Sequence, residues 1–213
     1  MKNLNSYIDH TNLKPNATKQ DIIKLCEDAY RYEFASVCVN PSYVHFCKEL
    51  LGDTSVKVCT VIGFPLGQNT TETKVNETIT AYNDGADEFD MVINVSKLKD
   101  GDYNYVKNEI SKIVNAVNGK TVKVIIETGL LTDEEKALAT RLSCEAGANF
   151  VKTCTGFSTG VATVKDVEIM KANVTNGVKI KASAGIRTRE DALALINAGA
   201  ERLGTSAGAE IIK

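Results

Sequence analysis

The chain has 213 residues, with 25 Lys and Arg set against 27 Asp and Glu and a formal net charge of −2. The two signs are interspersed without a basic stripe, which argues against a nucleic-acid partner, and no segment approaches the roughly 20 apolar residues of a membrane span. The opening "MKNLNSYIDHTNLKP" has no apolar core of signal-peptide length, so we expect a cytoplasmic protein folded as one domain over residues 1–213.

Short β-branched runs alternate with amphipathic stretches along the whole chain. "SYIDHT" (6–11) reads as a first strand, followed by a helix from about Thr18 to Tyr30 with Ile22, Cys26 and Ala29 on one face. Strands follow at 35–39 ("ASVCV"), 56–62 ("VKVCTVI"), 87–93 ("DEFDMVI"), 121–127 ("TVKVIIE"), 149–153 ("NFVKT"), 178–183 ("VKIKAS") and 201–205 ("ERLGT"). Capping boxes at Thr132–Glu135 and Thr188–Asp191 mark two helix starts. "DGADEFD", "AGANFVK" and "AGAERLG" close a helix with Gly85, Gly147 and Gly199 and enter a strand through Ala and one polar residue, the same turn used three times. Eight strands in this alternation predict a (β/α)8 TIM barrel. Without the first strand a seven-stranded open sheet is possible, but no GxGxxG or GxxxxGK[ST] supports a nucleotide-binding version.

The six cysteines form no CxxC pair and lie mostly in apolar runs, so they read as reduced, core-filling thiols. Only His10 and His45 are present, too few for a histidine metal cluster, and His45, after Pro41, reads as a surface or packing residue. Chemistry therefore has to rest on Lys, Asp, Glu, Ser or Thr.

Two lysines sit inside apolar strands, Lys152 in "NFVKT" and Lys181 in "VKIKAS". An ammonium is costly to bury unless it is paired or made neutral. Alternation places Lys152 with Phe150 and Lys181 with Lys179 on one face, and puts Asp90 opposite Met91, so three ionisable groups converge at the C-terminal ends of barrel strands. Mutual repulsion and burial are expected to lower the pKa of one lysine, making a neutral amine that attacks carbonyls to form a Schiff base, with Asp90 moving the protons. The plainer alternative is a polar core layer in which inward lysines pair with inward carboxylates. Glu127, at the end of "VKVIIE", is expected to be a structural ion-pair partner. "SAGIRTRED" and "GTSAGAEIIK", after the last two strands, are small-residue turns into helix starts and suit an anion.

"IDHTNLKP", "SVCVNPSYV", "VIGFPLG", "ETKVNE", "EFDMVINV", "VKVIIETGLLTDEEK", "FVKTCTGF", "VKIKASAGIRT" and "RLGTSAG" occur in order from residue 8 to 208. Together they resemble the 2-deoxy-D-ribose-5-phosphate aldolases of the short bacterial type. The resemblance implies a metal-free class I aldolase, needing no cofactor, that cleaves 2-deoxyribose 5-phosphate to acetaldehyde and glyceraldehyde 3-phosphate and works as a homodimer or higher homo-oligomer. By motif match Lys152 is the Schiff-base nucleophile, Lys181 perturbs it and shares in proton transfer, and Asp90 is the other proton-relay group. Gly156, Ala184, Gly185, Gly204 and Ser206 match the phosphate contacts.

The chain departs from that pattern in Ala184, where a Gly-Gly pair is usual, in Ala207 beside Ser206, where two serines are usual, and in Cys154, which replaces a serine. The Ala184 methyl is expected to crowd the phosphate and the Cys154 thiol to be open to oxidation. The sequence reaches Lys213 without the tyrosine-ended tail of longer members, so no tail-assisted proton step is expected. The competing readings are a carboxylate-based phosphosugar isomerase and a non-catalytic sugar-phosphate-binding barrel.

Overall fold

The computed structural model describes residues 3–213. Eight parallel strands close into one barrel in sequence order, β8 returning to pair with β1. The elements run β1 (Ile8–Asn12), α1 (Lys19–Arg31), β2 (Ser36–Val39), α2 (Val44–Leu51), β3 (Lys57–Ile62), α3 (Thr71–Asn83), β4 (Glu88–Val92), α4 (Val95–Lys99) and α5 (Tyr103–Ala116). They continue β5 (Thr121–Ile125), α6 (Asp133–Glu145), β6 (Phe150–Lys152), α7 (Val164–Asn173), β7 (Lys179–Ser183), α8 (Arg189–Ala198), β8 (Arg202–Thr205) and α9 (Gly208–Ile211). The (β/α)8 reading holds and the open sheet falls. The first strand starts two residues later than expected, because Leu4–Tyr7 form a 3-10 turn leading into it.

Local chemistry sets the element ends. Both expected capping boxes form, Thr132 with Glu135 and Thr188 with Asp191, and Thr18 with Asp21 makes a third at the start of α1. The repeated helix-to-strand turn is present at Gly85, Gly147 and Gly199, all at positive φ. In each, the following alanine donates back five residues, Ala86 to Ala81, Ala148 to Ser143 and Ala200 to Leu195. The polar residue after the alanine then pins the neighbouring strand: Asp87 and Asn149 accept through their side chains from the N–H groups of Val58 and Val122. A fourth copy uses Glu33 (φ 54) in place of glycine, which hid it in the sequence.

The main apolar core lies between barrel and helices, with Ile22, Val37, Phe89, Ile110, Val151 and Leu203 buried there. Inside the barrel only Leu13, Cys38, Cys59 and Val61 form a small apolar cluster. Beside it lies a charged layer: Asp9, Glu88, Asp90, Lys123, Lys152 and Lys181 are all buried. All six cysteines are buried and unpaired, as expected, and His45 is exposed beside Glu49 on α2. No helix among the described residues is long and apolar enough to cross a membrane.

Candidate active site

Lys152 ends β6 and stands directly opposite Lys181 of β7 in the strand register. Both Nζ atoms lie 2.7 Å from the same oxygen, Oδ2 of Asp90 on β4. The other oxygen, Oδ1, accepts from Lys123 Nζ at 2.7 Å, so one carboxylate bridges three lysine side chains. The structure thus brings the three residues chosen from the sequence to one point.

It also supplies partners that the sequence reading missed. Lys123 of β5 contacts Glu88 Oε2 at 2.7 Å, and Lys181 pairs with Asp9 of β1. Arg202 closes the network from below through Asp9 and, at 2.9 Å, Glu88 Oε1, while Ser36 donates to Asp9 at 2.7 Å. The signal that singled out Lys152, a charge inside an apolar strand, was equally present at Lys123 in "TVKVIIE" and Asp9 in "SYIDHT". The polar-layer alternative is therefore part of the answer: the ionic layer exists, and the site is its upper end.

Electrostatics differ from the expectation of a lysine lowered by its neighbour. Burial pushes the Lys181 pKa down, but Asp9 and Asp90 outweigh it and hold Lys181 above the usual lysine range. Burial likewise pushes Asp90 up, yet Lys123, Lys152 and Lys181 hold its carboxyl well below the ordinary range. Asp90 is thus a carboxylate and Lys181 a firm ammonium.

Position separates the two lysines further. A cavity of about 780 Å³ opens at the C-terminal mouth and is lined by Lys152 but not by Lys181 or Asp90, which are fully buried behind it. Lys152 has a single carboxylate partner, Asp90, shared with Lys181, whereas Lys181 has two. Gly156, Ala184, Gly185, Gly204 and Ser206 line the same cavity. Among the described residues, the backbone N–H groups of Gly156, Gly185 and Ser206 have no acceptor within the protein. Gly204 has a second reason to lack a side chain: a Cβ there would lie 3.1 Å from Lys181 Cε and 2.9 Å from Ser183 Cβ.

Two expectations need correction. Glu127 has no cationic partner among the described residues; at φ 56 it accepts instead from the N–H and hydroxyl of Thr155, tying the end of β5 to the loop after β6. Cys154 is fully buried 3.1 Å from Thr128 Oγ1, and burial pushes its thiol up, so it is sheltered from oxidants rather than open to them. Ala184 lines the cavity with its Cβ 3.5 Å from where a Gly156 Cβ would stand, and it sits at φ 78, where alanine is strained. Cys38, Cys59 and Asp90 place ligand atoms within 4.8 Å of one another, but the charged Lys123 and Lys181 already on Asp90 oppose a cation there.

A model described as a DeoC/LacD family aldolase matches residues 4–213. The chain belongs to the DeoC/LacD aldolase family. Within that family it is 58% identical over 210 residues to a deoxyribose-phosphate aldolase of Clostridium botulinum, covering 99% of both chains. It is 56% identical over 216 residues to the one of Caldanaerobacter subterraneus, covering 100% of this chain and 94% of the relative. Among solved structures, a putative deoxyribose-phosphate aldolase from Coccidioides immitis superposes with a TM-score of 0.96 at 41% identity, covering 99% of this chain and 84% of that one. The Aeropyrum pernix deoxyribose phosphate aldolase, described as having a unique tetrameric structure, superposes with a TM-score of 0.92 at 37% identity, covering 98% and 89%.

Proposed function

We propose that the chain is a lyase, a class I aldolase that reversibly cleaves 2-deoxy-D-ribose 5-phosphate to acetaldehyde and D-glyceraldehyde 3-phosphate through a Schiff base on Lys152. The observation that carries the reading is that Lys152 alone of the clustered lysines reaches the cavity, while its Nζ shares one Asp90 oxygen with Lys181.

Lys152, once its amine is free of its proton, adds to the sugar aldehyde, and the carbinolamine takes up one proton and loses water, forming an iminium. The bond between C2 and C3 then breaks: its electron pair becomes the enamine double bond, the iminium nitrogen is neutralised, and the C3 hydroxyl, as that carbon becomes the aldehyde of glyceraldehyde 3-phosphate, releases the proton that balances the one the enamine carbon takes up next. Protonation of the enamine and hydrolysis release acetaldehyde and the lysine. Asp90 is placed to take the Lys152 proton, and Lys181 touches the same oxygen, so a proton passes between the two amines through one carboxylate atom. Asp9 keeps Lys181 charged and fixed in this relay. The phosphate is assigned to the turn at 184–185, Gly156 and Ser206, which line the cavity with Gly204 and among which the N–H groups of Gly156, Gly185 and Ser206 have no acceptor within the protein.

A carboxylate-based isomerase is not favoured, because the carboxylates clustered with Lys152, namely Asp9, Glu88 and Asp90, are all ion-paired behind it and do not line the cavity. The buried thiols fit a reducing cytoplasm, and a homo-oligomer fits the tetramer described for the Aeropyrum relative. The test is borohydride reduction in the presence of 2-deoxyribose 5-phosphate. A two-carbon adduct on Lys152 is expected; no adduct on any lysine would refute the imine mechanism.

A further inference from the structure

The motif "ETKVNE" (72–77) lies on α3, outside the cavity, and the mechanism above does not use it. Its lysine is nonetheless among the largest fully buried side chains in the protein. Lys74 Nζ pairs with Glu109 Oε2 of α5 at 2.9 Å, both side chains being 0% exposed. It also donates to the carbonyl of Val92 at 2.8 Å, and Glu109 accepts from the N–H of Asn94 at 3.3 Å. The pair therefore grips the backbone on both sides of Ile93, immediately after the strand that carries Asp90.

The same helix holds the preceding loop. Glu77 accepts from the N–H of Gly63 at 2.7 Å, and the Lys74 stem fills the place of a Gly63 side chain, with Cε 2.7 Å from where a Cβ would stand. Gly67 leans on the Ile93 carbonyl so closely that a Cβ would come within 2.0 Å of it. The loop between these glycines presents Phe64, which packs edge-on against Phe157 of the cavity wall at 5.2 Å.

A buried ion pair contributes little net stability, since desolvation offsets its attraction, and an apolar pair of like volume would join α3 to α5 as well. Burial pushes the Lys74 pKa down and that of Glu109 up, so the pair is held against its own desolvation. What an apolar pair cannot do is satisfy the Val92 carbonyl and the Asn94 N–H. We infer that Lys74 and Glu109, with Glu77, are positioning residues for the active site: they fix the end of β4, and so Asp90, together with the loop at 63–67.

The inference rests on the aldolase reading, and its test separates the two. In Lys74→Met/Glu109→Leu, imine formation is followed by borohydride trapping of acetaldehyde on Lys152. Proton transfer is followed by exchange of the acetaldehyde methyl hydrogens in D2O, and the β4 end by hydrogen exchange of the Asn94 amide. We expect faster Asn94 exchange and a ratio of methyl exchange to trapping about tenfold or more below wild type, the scale on which small misplacements act. Faster amide exchange with an unchanged ratio would mean a purely structural pair and would overturn the inference, as would no change in either. If the double variant does not fold, Glu77→Leu, at a half-buried site, carries the test. It should raise KM for 2-deoxyribose 5-phosphate severalfold with acetaldehyde trapping unchanged, and an unchanged KM would overturn the inference. A wild-type protein that traps nothing would refute the aldolase reading and this inference with it.

Discussion

Replacing Ala184 by glycine should stabilise the protein and tighten its hold on phosphate. Ala184 sits at φ 78, in the left-handed region, where an L-residue with a Cβ costs about 1–2 kcal/mol. Glycine forfeits about 0.4–1 kcal/mol through the greater freedom of its unfolded chain, leaving a net gain of about 0.5–1 kcal/mol. For a chain of this length about 1 kcal/mol moves Tm by about 2–4 °C, so a rise of about 1–4 °C is expected by differential scanning calorimetry. The reverse change at the next residue is the control: Gly185, at φ 79, has Val161 Cβ only 2.9 Å from where its own Cβ would be, so Gly185→Ala should lower Tm. The Ala184 methyl lies 3.5 Å from a Cβ placed on Gly156, between two backbone walls of the assigned phosphate site. Its removal should lower KM for 2-deoxyribose 5-phosphate and leave KM for unphosphorylated 2-deoxyribose unchanged. An unchanged or lower Tm in Ala184→Gly would refute the strain argument, and equal KM changes for both sugars would refute the phosphate assignment.

Gly204→Ala should impair turnover through Lys181 rather than through phosphate, because the new methyl meets the Lys181 stem at 3.1 Å; a rise in KM alone, with kcat intact, would contradict this. Asp90→Leu should slow methyl-proton exchange of acetaldehyde more than borohydride trapping, and equal losses would mean that Asp90 mainly holds Lys181 in place. The same variant, which takes one carboxylate partner from Lys123 and Lys181 and the one that Lys152 has, should lose about 3–5 kcal/mol in urea unfolding if it folds. Asp9 and Asp90 are both held below the ordinary carboxylate value of 3.8, despite burial, by Lys123 and Lys181, helped by Arg202 at Asp9 and Lys152 at Asp90. Their contribution to stability is therefore present above that value and lost as the pH falls toward their folded pKa values. Tm should drop progressively below about pH 4, with a shallower slope in Asp9→Asn; equal slopes would show that Asp9 is not part of the acid transition.

Much of the molecule is local and therefore legible in one dimension. The alternation of β-branched runs with capped amphipathic helices, Gly85, Gly147 and Gly199 at helix ends, and two lysines inside apolar strands depend on neighbours a few residues away. They sufficed for a parallel eight-stranded barrel and for Lys152, Lys181 and Asp90. The family motifs added the roles expected of these residues and the expectation of a phosphate site.

Which charges share a height inside the barrel was decided only by closure. Strand tilt and stagger are a collective property of all eight strands, so no single segment shows that Lys152 lies opposite Lys181, that Lys123 adjoins Asp90, or that Arg202 reaches across to Glu88. For the same reason the sequence could not tell that Asp9 keeps Lys181 charged, that Glu127 holds Thr155 instead of a cation, or that Cys154 is sheltered. The sequence by itself determined the residue types and the strand face on which each lysine lies. The tertiary structure decided which of them is buried in the ionic layer and which, Lys152, is left to meet the cavity.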